Sequence, residues 1–238
     1  MARVCGIFSA MTSKKNNPHK NNRAVGPVLI TDLGNVVIFF DRRRVAAGFQ
    51  RFAPEKTIDE IDDLINKSAA GIALLEQFET GRINADLYRR GIEHLLGTRI
   101  PADDFWRVHT CLFTPNMPVI DLWKKLRAEG KVQKIIALTD TDPVRLQAGL
   151  SLLESCGLAL DGAIASYQVG CRKPNPAIFQ DAIDLWEAQP NQCVFVDDNA
   201  AYAAAARQQG MAGICYVADS PQAQKMLLAD LHAAGFVA

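Results

Sequence analysis

The sequence has no apolar run that approaches the roughly 20 residues needed to cross a membrane. It also lacks the patterns G-x-x-x-x-G-K-[ST] and G-x-G-x-x-G, so nucleotide binding of those kinds is unsupported. Its six cysteines are scattered without a C-x-x-C pair, which argues against a disulfide framework or a structural zinc site. We therefore expect a cytoplasmic protein that has no membrane partner.

A net charge is also lacking, because 26 Lys and Arg residues balance 26 Asp and Glu residues. Residues 1–26 hold five of the basic residues and no acidic one, so the rest of the chain is net negative. That sign argues against nucleic acid as the main partner. Residues 12–26 are polar and aperiodic, and we predict that residues 1–26 form a flexible N-terminal extension. A secretory signal at the very start is a weaker alternative.

The remaining chain alternates short apolar runs with helical patterns. Continuous apolar runs predict buried parallel strands, and helices between them predict an α/β, doubly wound parallel sheet. The predicted strands are 27–31, 133–139, 162–166, 192–197 and 213–217, and the predicted helices between and after the last four are 144–156, 176–187, 199–209 and 221–234.

About a hundred residues separate the first two predicted strands, far more than a crossover connection needs. Helical patterns cover 57–66, 84–96, 101–113 and 117–129, and no strand is predicted after Phe40. We therefore predict a small helical cap domain, residues 42–113, inserted into a core domain of residues 27–41 and 114–238.

Polar side chains follow four of the predicted strands. Ligands of open α/β sheets bind beyond the carboxyl ends of the strands, so these side chains are expected to converge. Mg²⁺ prefers hard oxygen ligands, and a carboxylate can also attack phosphorus. The set therefore indicates metal-assisted phosphoryl transfer. Its members are Asp32 after the first strand, Thr139 and Asp140 after the second, Lys173 after the third, and Asp197 and Asp198 after the fourth.

Four segments resemble the motifs of the haloacid dehalogenase-like hydrolases. They are Asp32-Leu33-Gly34-Asn35-Val36, Ala137-Leu138-Thr139-Asp140, Gly170-Cys171-Arg172-Lys173-Pro174 and Val194-Phe195-Val196-Asp197-Asp198-Asn199. Within that family the motifs are most similar to a bacterial branch with an α-glucose-1-phosphate phosphatase, near the phosphatase domain of epoxide hydrolases. The segment 78–83 is similar to the E-x-G-x-I stretch of their helical cap.

The resemblance implies a Rossmann-like core and a role for each motif residue. Asp32 would be the nucleophile and a metal ligand, and the Gly34 carbonyl, close to the phosphate, would be a second ligand. Thr139, Asp140 and Lys173 would form the phosphate site, with Thr139 and Lys173 assisting catalysis. Asp198, aided by Asp197, would complete a Mg²⁺ site.

Three positions depart from the usual pattern of the family. Gly34 stands where most members have the Asp that protonates the leaving group. Asp140 brings negative charge to the phosphate site unless it is protonated, paired with Arg172 or acting as the missing acid. Tyr202 stands where Asp or Asn often supports the metal. A sugar 1-phosphate leaves as a relatively acidic hydroxyl, so anomeric phosphates are one expected substrate class.

The sequence thus predicts a Mg²⁺-dependent hydrolase that removes phosphate from a small metabolite, with a sugar phosphate as one candidate, through an aspartyl-phosphate. A monomer or a homodimer is expected. Two alternatives remain open: a metal-independent haloacid dehalogenase, and a non-catalytic protein that binds a phosphorylated ligand. Arginines of the cap, among them Arg42 and Arg89, are candidates for substrate contacts, whereas His109 is expected to pack in the interior.

Overall fold

A five-stranded parallel sheet forms the centre of the molecule. The computed structural model describes residues 26–185, 188–218 and 222–236. In sheet order its strands are β5 (Gly162–Ala165), β4 (Lys134–Thr139), β1 (Val28–Thr31), β6 (Cys193–Asp197) and β7 (Ala212–Cys215), so β1 is central. Every neighbouring pair is parallel, which confirms the predicted fold class.

Helices cover both faces of this sheet, and this is why its strands read as continuous apolar runs. Alternate residues of β1 enter different apolar clusters: Leu29 packs with Trp123 on one face, and Ile30 packs with Phe179 on the other. The first face is covered by α6 (Met117–Ala128), α7 (Pro143–Ser155) and α11 (Ala223–Ala233), and the second by α9 (Pro176–Leu185) and α10 (Ala200–Gln208). A short helix, α8 (Ser166–Val169), follows β5 directly.

The helices of the core lie within one or two residues of their predicted bounds, apart from two ends. The predicted end of α9 at 186–187 and the predicted Ser220-Pro221 start of α11 lie outside the described residues. No helix in the described part of the chain is long and apolar enough to cross a membrane.

Five helices lie between β1 and β4 on a separate apolar cluster, and we refer to them together as the cap. They are α1 (Arg42–Gln50), α2 (Ile58–Asp62), α3 (Ala69–Glu79), α4 (Ala85–Leu96) and α5 (Ala102–His109), with a π-helical turn at Asp63–Lys67 after α2. Their cluster is centred on Phe49, Phe78 and Phe105. The division of the chain into core and cap domains stays a prediction.

A two-stranded antiparallel ribbon joins the cap to the core, and neither of its strands was predicted. The ribbon consists of β2 (Ile38–Phe40) and β3 (Phe113–Pro115). The helix predicted over 101–113 therefore ends early, at His109. A three-residue strand has no periodic pattern of its own. It forms because residues 73 to 77 positions apart in the chain pair with each other, with the Phe40 and Phe113 rings 5.5 Å apart.

The cap contacts the core at the E-x-G segment after α3. The Ser166 hydroxyl donates a hydrogen bond of 2.5 Å to the carbonyl of Glu79. Gly81 has a φ of +69°, and a Cβ there would stand 2.5 Å from the carbonyl oxygen of Tyr167. A second contact joins His109 of α5 to Asp142, at 2.9 Å, at the start of α7. These contacts hold the cap against the ends of β4 and β5.

Replacing Gly81 by alanine is expected to weaken this contact. The positive φ alone disfavours alanine by about 1–2 kcal/mol, and the clash with a backbone oxygen adds at least about 1 kcal/mol. Gly97→Ala is the matched control, because Gly97 has a φ of +72° but no atom within 4 Å of the added Cβ. Urea unfolding of both variants measures the difference. Equal losses of unfolding free energy would mean that Gly81 makes no tight contact with the core.

Candidate active site

Asp32 lies at the carboxyl end of the central strand and is 8% exposed. Its backbone N–H donates to the carbonyl of Val196, 2.8 Å away on the neighbouring strand β6. This bond continues the sheet one residue beyond β1. The position of Asp32 is therefore set by the sheet and places its side chain beside the end of β6.

Three carboxylates meet at this edge of the sheet. Asp32, Asp197 and Asp198 each offer an oxygen atom, and these oxygens lie within 4.8 Å of one another. Asp197 ends β6, and one of its oxygens accepts from the N–H of Asn199 at 2.8 Å. Residues 165 positions apart in the sequence thus form one acidic cluster, because β1 and β6 are adjacent strands.

Asn35 orients one of these carboxylates, a contact that the sequence analysis did not identify. Its Nδ2 donates to Oδ2 of Asp198 at 2.9 Å. The backbone of Asn35 has a φ of +54°, which asparagine tolerates better than most residues. The Asn of the D-L-G-N motif was the only sequence signal for this residue, since asparagine accepts a positive φ in a turn.

The ammonium group of Lys173 lies between two of the carboxylates. Its Nζ is 3.0 Å from Oδ1 of Asp32 and 2.6 Å from Oδ2 of Asp197. It also donates to the carbonyl of Leu138 at 3.2 Å. The Tyr202 ring, whose centroid is 5.2 Å from Nζ, covers it. Tyr202 therefore contacts the lysine from the position where the family often has a metal-supporting Asp or Asn.

One ammonium does not neutralise three carboxylates, and the pKa values reflect this. Burial raises the pKa of Asp32 to about 7, the Lys173 ammonium opposes the rise, and the Asp197 charge adds to it. Burial also raises the pKa of Asp197. Burial disfavours the charged form of Lys173, but Asp32 and Asp197 outweigh it and raise the pKa of the lysine. The ammonium therefore stays protonated at neutral pH.

This donor set fits a hard divalent cation. Mg²⁺ takes oxygen ligands, and its charge would offset the negative charge that Lys173 leaves uncompensated. Asp32, Asp197 and Asp198 have the required oxygens within one small volume. The Gly34 carbonyl as a further ligand stays a prediction.

Thr139 and Asp140 lie beside this cluster, where β4 ends. Thr139 is the last residue of β4 and is 3% exposed. Asp140 accepts a hydrogen bond from the backbone N–H of Lys173, 3.0 Å from its Oδ1. Its other oxygen, Oδ2, lies 3.7 Å from Nε of Arg172. The sequence analysis left three possibilities for Asp140: that it is protonated, that it pairs with Arg172, or that it acts as the missing acid. The geometry favours the pairing with Arg172.

An aromatic ring occupies the space beside Gly34. A Cβ at this position would stand 2.5 Å from Cε2 of Phe40 and 3.1 Å from its Cζ. Gly34 itself is buried in the turn that connects β1 to β2. The position that most of the family uses for a proton-donating Asp therefore has no room for a side chain while Phe40 keeps its place.

Glu79 is a further residue of this region to which the sequence analysis gave no role. It ends α3, is 7% exposed, and its Oε2 lies 3.6 Å from Nη2 of Arg172. Burial raises its pKa to about 7, with the charges of Arg172 and Arg145 opposing the rise. Only the E-x-G-x-I segment pointed to it, and its burial depends on how the cap meets the core.

The arginines of the cap are mostly engaged with acidic residues of the cap itself. Arg89 lies 2.6 Å from Glu93 and 2.9 Å from Asp86 within α4. Arg42 lines a small cavity with His109 and Arg145. His109 packs between cap and core, and burial and the Arg145 charge lower its pKa. A larger cleft of about 440 Å³ opens along the seam between cap and core, bordered by Gly81 and Tyr167.

The comparisons with known proteins agree with the motifs. The family of haloacid dehalogenase-like hydrolases matches residues 17–210, and the chain belongs to this family. The chain is 23% identical over 180 residues to D-ribitol-5-phosphate phosphatase of Bacteroides thetaiotaomicron, covering 71% of this chain and 82% of that relative. It is 33% identical over 104 residues, 42% of this chain, to bifunctional epoxide hydrolase 2 of Rattus norvegicus, of which the match covers 18%.

A solved structure has the same fold. A HAD family enzyme of Bacteroides thetaiotaomicron, in complex with magnesium and inorganic phosphate, superimposes with a TM-score of 0.64 at 21% identity. The match covers 82% of this chain and 96% of that one. These relatives are consistent with the branch of the family that the motifs indicate.

Magnesium is expected to stabilise the protein through the three carboxylates. Mg²⁺ at 100 times its dissociation constant would raise the free energy of unfolding by about 2.7 kcal/mol. Asp198→Asn should abolish most of this gain, whereas Asp230→Asn, at an exposed position on α11, should keep it. Unfolding in MgCl₂ and in NaCl of equal ionic strength measures the effect. An equal gain in all three proteins would contradict a site at Asp198.

Glu79→Gln is expected to change how stability depends on pH. The carboxyl has an ordinary pKa of 4.5 when unfolded and about 7 when folded. The raised pKa therefore leaves the free energy of unfolding unchanged below pH 4.5 and lowers it by up to about 3 kcal/mol above pH 7, where the buried carboxyl is charged. Glutamine does not titrate, so the variant should gain unfolding free energy relative to wild type between pH 4.5 and 8.

Urea unfolding across this pH range measures that gain. Glu76→Gln is the control, because Glu76 lies three residues earlier on α3 with its side chain 50% exposed. The prediction is wrong if the two variants follow the same pH dependence.

Proposed function

We propose that this chain is a Mg²⁺-dependent phosphatase that acts on a small phosphorylated metabolite through an aspartyl-phosphate on Asp32. The observation that carries the proposal is the cluster of Asp32, Asp197 and Asp198, of which the first two contact the same ammonium group. A cation and a phosphate together match its charge, because the cation offsets the excess carboxylate and Lys173 attracts the phosphate oxygens. The phosphatase among the relatives and the solved structure with magnesium and phosphate support it.

The chemistry proceeds in two displacements. An Asp32 oxygen forms a bond to phosphorus while the bond from phosphorus to the leaving oxygen breaks, and the leaving oxygen takes a proton from solvent water. Water then attacks the same phosphorus and loses its proton to solvent. The Asp32–phosphorus bond breaks, which releases inorganic phosphate and restores the carboxylate. Lys173 holds the phosphate near Asp32 and reduces the repulsion between two anions, and the Thr139 hydroxyl donates to a phosphate oxygen.

Asp32, Asp197 and Asp198 would hold the Mg²⁺ ion. Bound there, the ion supplies charge compensation for the phosphate oxygens during transfer. Asn35 keeps Asp198 oriented through its hydrogen bond. Because no side chain stands at position 34 to protonate the leaving oxygen, esters with acidic leaving groups are expected to react fastest.

A metal-independent haloacid dehalogenase is the competing enzymatic function. It would also use Asp32 as a nucleophile and Lys173 as a cation. The acidic pair disfavours it, since Asp197 and Asp198 would repel a substrate carboxylate with no metal to compensate. A protein that only binds a phosphorylated ligand is the other alternative, and turnover separates it from an enzyme.

Phosphate release from p-nitrophenyl phosphate with MgCl₂ tests the proposal. Asp32→Asn should reduce kcat at least about a thousandfold because it removes the nucleophile. EDTA should abolish activity, and added Mg²⁺ should restore it. Asp230→Asn should behave as wild type, since it lies on an exposed face of α11. Activity on 2-chloropropionate that survives EDTA would favour the dehalogenase, and no release from a broad set of phosphate esters would favour the binding protein.

A further inference from the structure

The four residues that begin at the end of β4, residues 139–142, contribute to the proposed phosphate site in two ways. Thr139 supplies the hydroxyl that would donate to a phosphate oxygen. Asp140 accepts a hydrogen bond of 3.0 Å from the backbone N–H of Lys173 and so holds the loop that carries the ammonium group. We refer to residues 139–142 as the phosphate segment. Its position therefore affects both groups that would bind phosphate.

The last residue of the phosphate segment is bonded to a histidine of the cap. Nε2 of His109, the final residue of α5, lies 2.9 Å from Oδ2 of Asp142, and the two side chains are 1% and 0% exposed. Burial and the Arg145 charge lower the pKa of His109, so its ring is neutral at neutral pH. Burial raises the pKa of Asp142, but the contact with His109 and the Arg145 charge outweigh it, so the carboxyl is charged. A carboxylate only accepts, so Nε2 of His109 is the donor.

The other oxygen of Asp142 is bonded to the core. Oδ1 accepts from the backbone N–H groups of Val144 and Arg145, each at 2.9 Å, as the N-cap of α7. One carboxylate thus joins the cap, the phosphate segment and the start of a core helix. Without His109, Oδ2 would keep only the Arg145 guanidinium as a partner among the described residues, with Nε 3.7 Å away. The carboxylate would then be drawn toward that guanidinium and would pull the segment with it.

A second buried link runs from the phosphate segment to a different helix of the cap. The backbone N–H of Thr141 donates to Oγ of Ser166 at 2.9 Å, and this hydroxyl donates to the carbonyl of Glu79 at the end of α3. Ser166 is 0% exposed. Two adjacent residues of one short segment are therefore connected to two helices of the cap, α3 and α5.

We propose that His109 and Ser166 are positioning residues that tie the phosphate segment to the cap, so that the cap determines how tightly the phosphate group itself is bound. The inference rests on the proposed phosphatase function. It gives the cap a role on the phosphate side of the substrate. Neither side chain needs to contact the substrate, since each acts through the segment. A shift of about 1 Å in a group that binds the substrate can lower a rate about a hundredfold, so a loosened segment is measurable.

Titration with inorganic phosphate in MgCl₂ tests the role of His109 without any turnover. His109→Leu removes the donor and should weaken phosphate binding at least about tenfold, because a hydrogen bond to a charged group depends on the position of Thr139. The same variant should lower kcat/KM for p-nitrophenyl phosphate about tenfold to a hundredfold. His109→Gln retains an N–H donor that can reach Asp142 and should keep most of both values.

Val108→Ala is the matched control for a loss of stability alone. Val108 precedes His109 on α5, is 6% exposed and belongs to the apolar cluster of the cap. Its truncation should lower the free energy of unfolding, because it leaves a cavity, and should not change the affinity for phosphate. All variants are compared at a temperature at which circular dichroism shows them folded. Equal phosphate affinity in His109→Leu and Val108→Ala would overturn the role of His109.

Ser166→Ala tests the second link and does not depend on whether His109→Leu folds. It removes no partner from a buried charge, so the variant is expected to fold. Phosphate binding should weaken at least about fivefold, because the N–H of Thr141 loses its acceptor. Ser155→Ala, at an exposed position on α7, should bind phosphate as wild type does. Wild-type affinity in Ser166→Ala would overturn the proposal.

A double-mutant cycle shows whether His109 acts through the phosphate segment. In kcat/KM, the loss in a variant with both His109→Leu and Thr139→Ala should be smaller than the product of the two single losses. A full product would overturn this route. The loss caused by His109→Leu should also be equal for p-nitrophenyl phosphate and glycerol 2-phosphate, which share only the phosphate group. Unequal losses would place His109 on the leaving-group side and would likewise overturn the proposal.

The outcomes separate this inference from the function on which it rests. A wild-type protein that releases phosphate, with His109→Leu and Ser166→Ala binding phosphate as tightly as wild type, would contradict the positioning role and leave the phosphatase intact. A wild-type protein that neither binds inorganic phosphate nor releases it from any ester would overturn both proposals.

Discussion

The Lys173 ammonium, shared by Asp32 and Asp197, is the interaction on which the candidate site depends. It draws together the ends of β1 and β6 and the loop before α9. Without it, the three carboxylates, two of them buried, would repel one another strongly. With it, the cluster still carries excess negative charge, and that excess is what makes the site suitable for a divalent cation.

The same electrostatic arrangement extends outward from the reaction centre. Asp140 connects the backbone of Lys173 to Arg172, and Arg172 lies next to Glu79 of the cap. Charge therefore alternates from the acidic cluster to the seam between cap and core. The cap meets the core at this place through backbone contacts of Glu79 and Gly81. The same contact between cap and core places the buried Glu79 carboxyl 3.6 Å from Arg172.

Departures from the family pattern become understandable as changes in packing. At Gly34, the ring of Phe40 occupies the space that a side chain at this position would need. Tyr202 contacts the Lys173 ammonium through its ring face and is not part of the cluster of Asp32, Asp197 and Asp198. Asp140 has Arg172 and the backbone N–H of Lys173 as partners, so its charge is partly compensated beside the proposed phosphate site.

The sequence by itself determined the parallel sheet, because helices on both faces force each strand to be apolar throughout. It also located Asp32, Thr139, Lys173, Asp197 and Asp198, since parallel strands bring their carboxyl ends to one edge. It did not predict the β2–β3 ribbon, whose three-residue strands exist only through pairing across the cap. The orientation of Asp198 by Asn35 and the burial of Glu79 were likewise decided by the tertiary structure. Both depend on contacts between distant segments, and no local pattern of residues encodes such contacts.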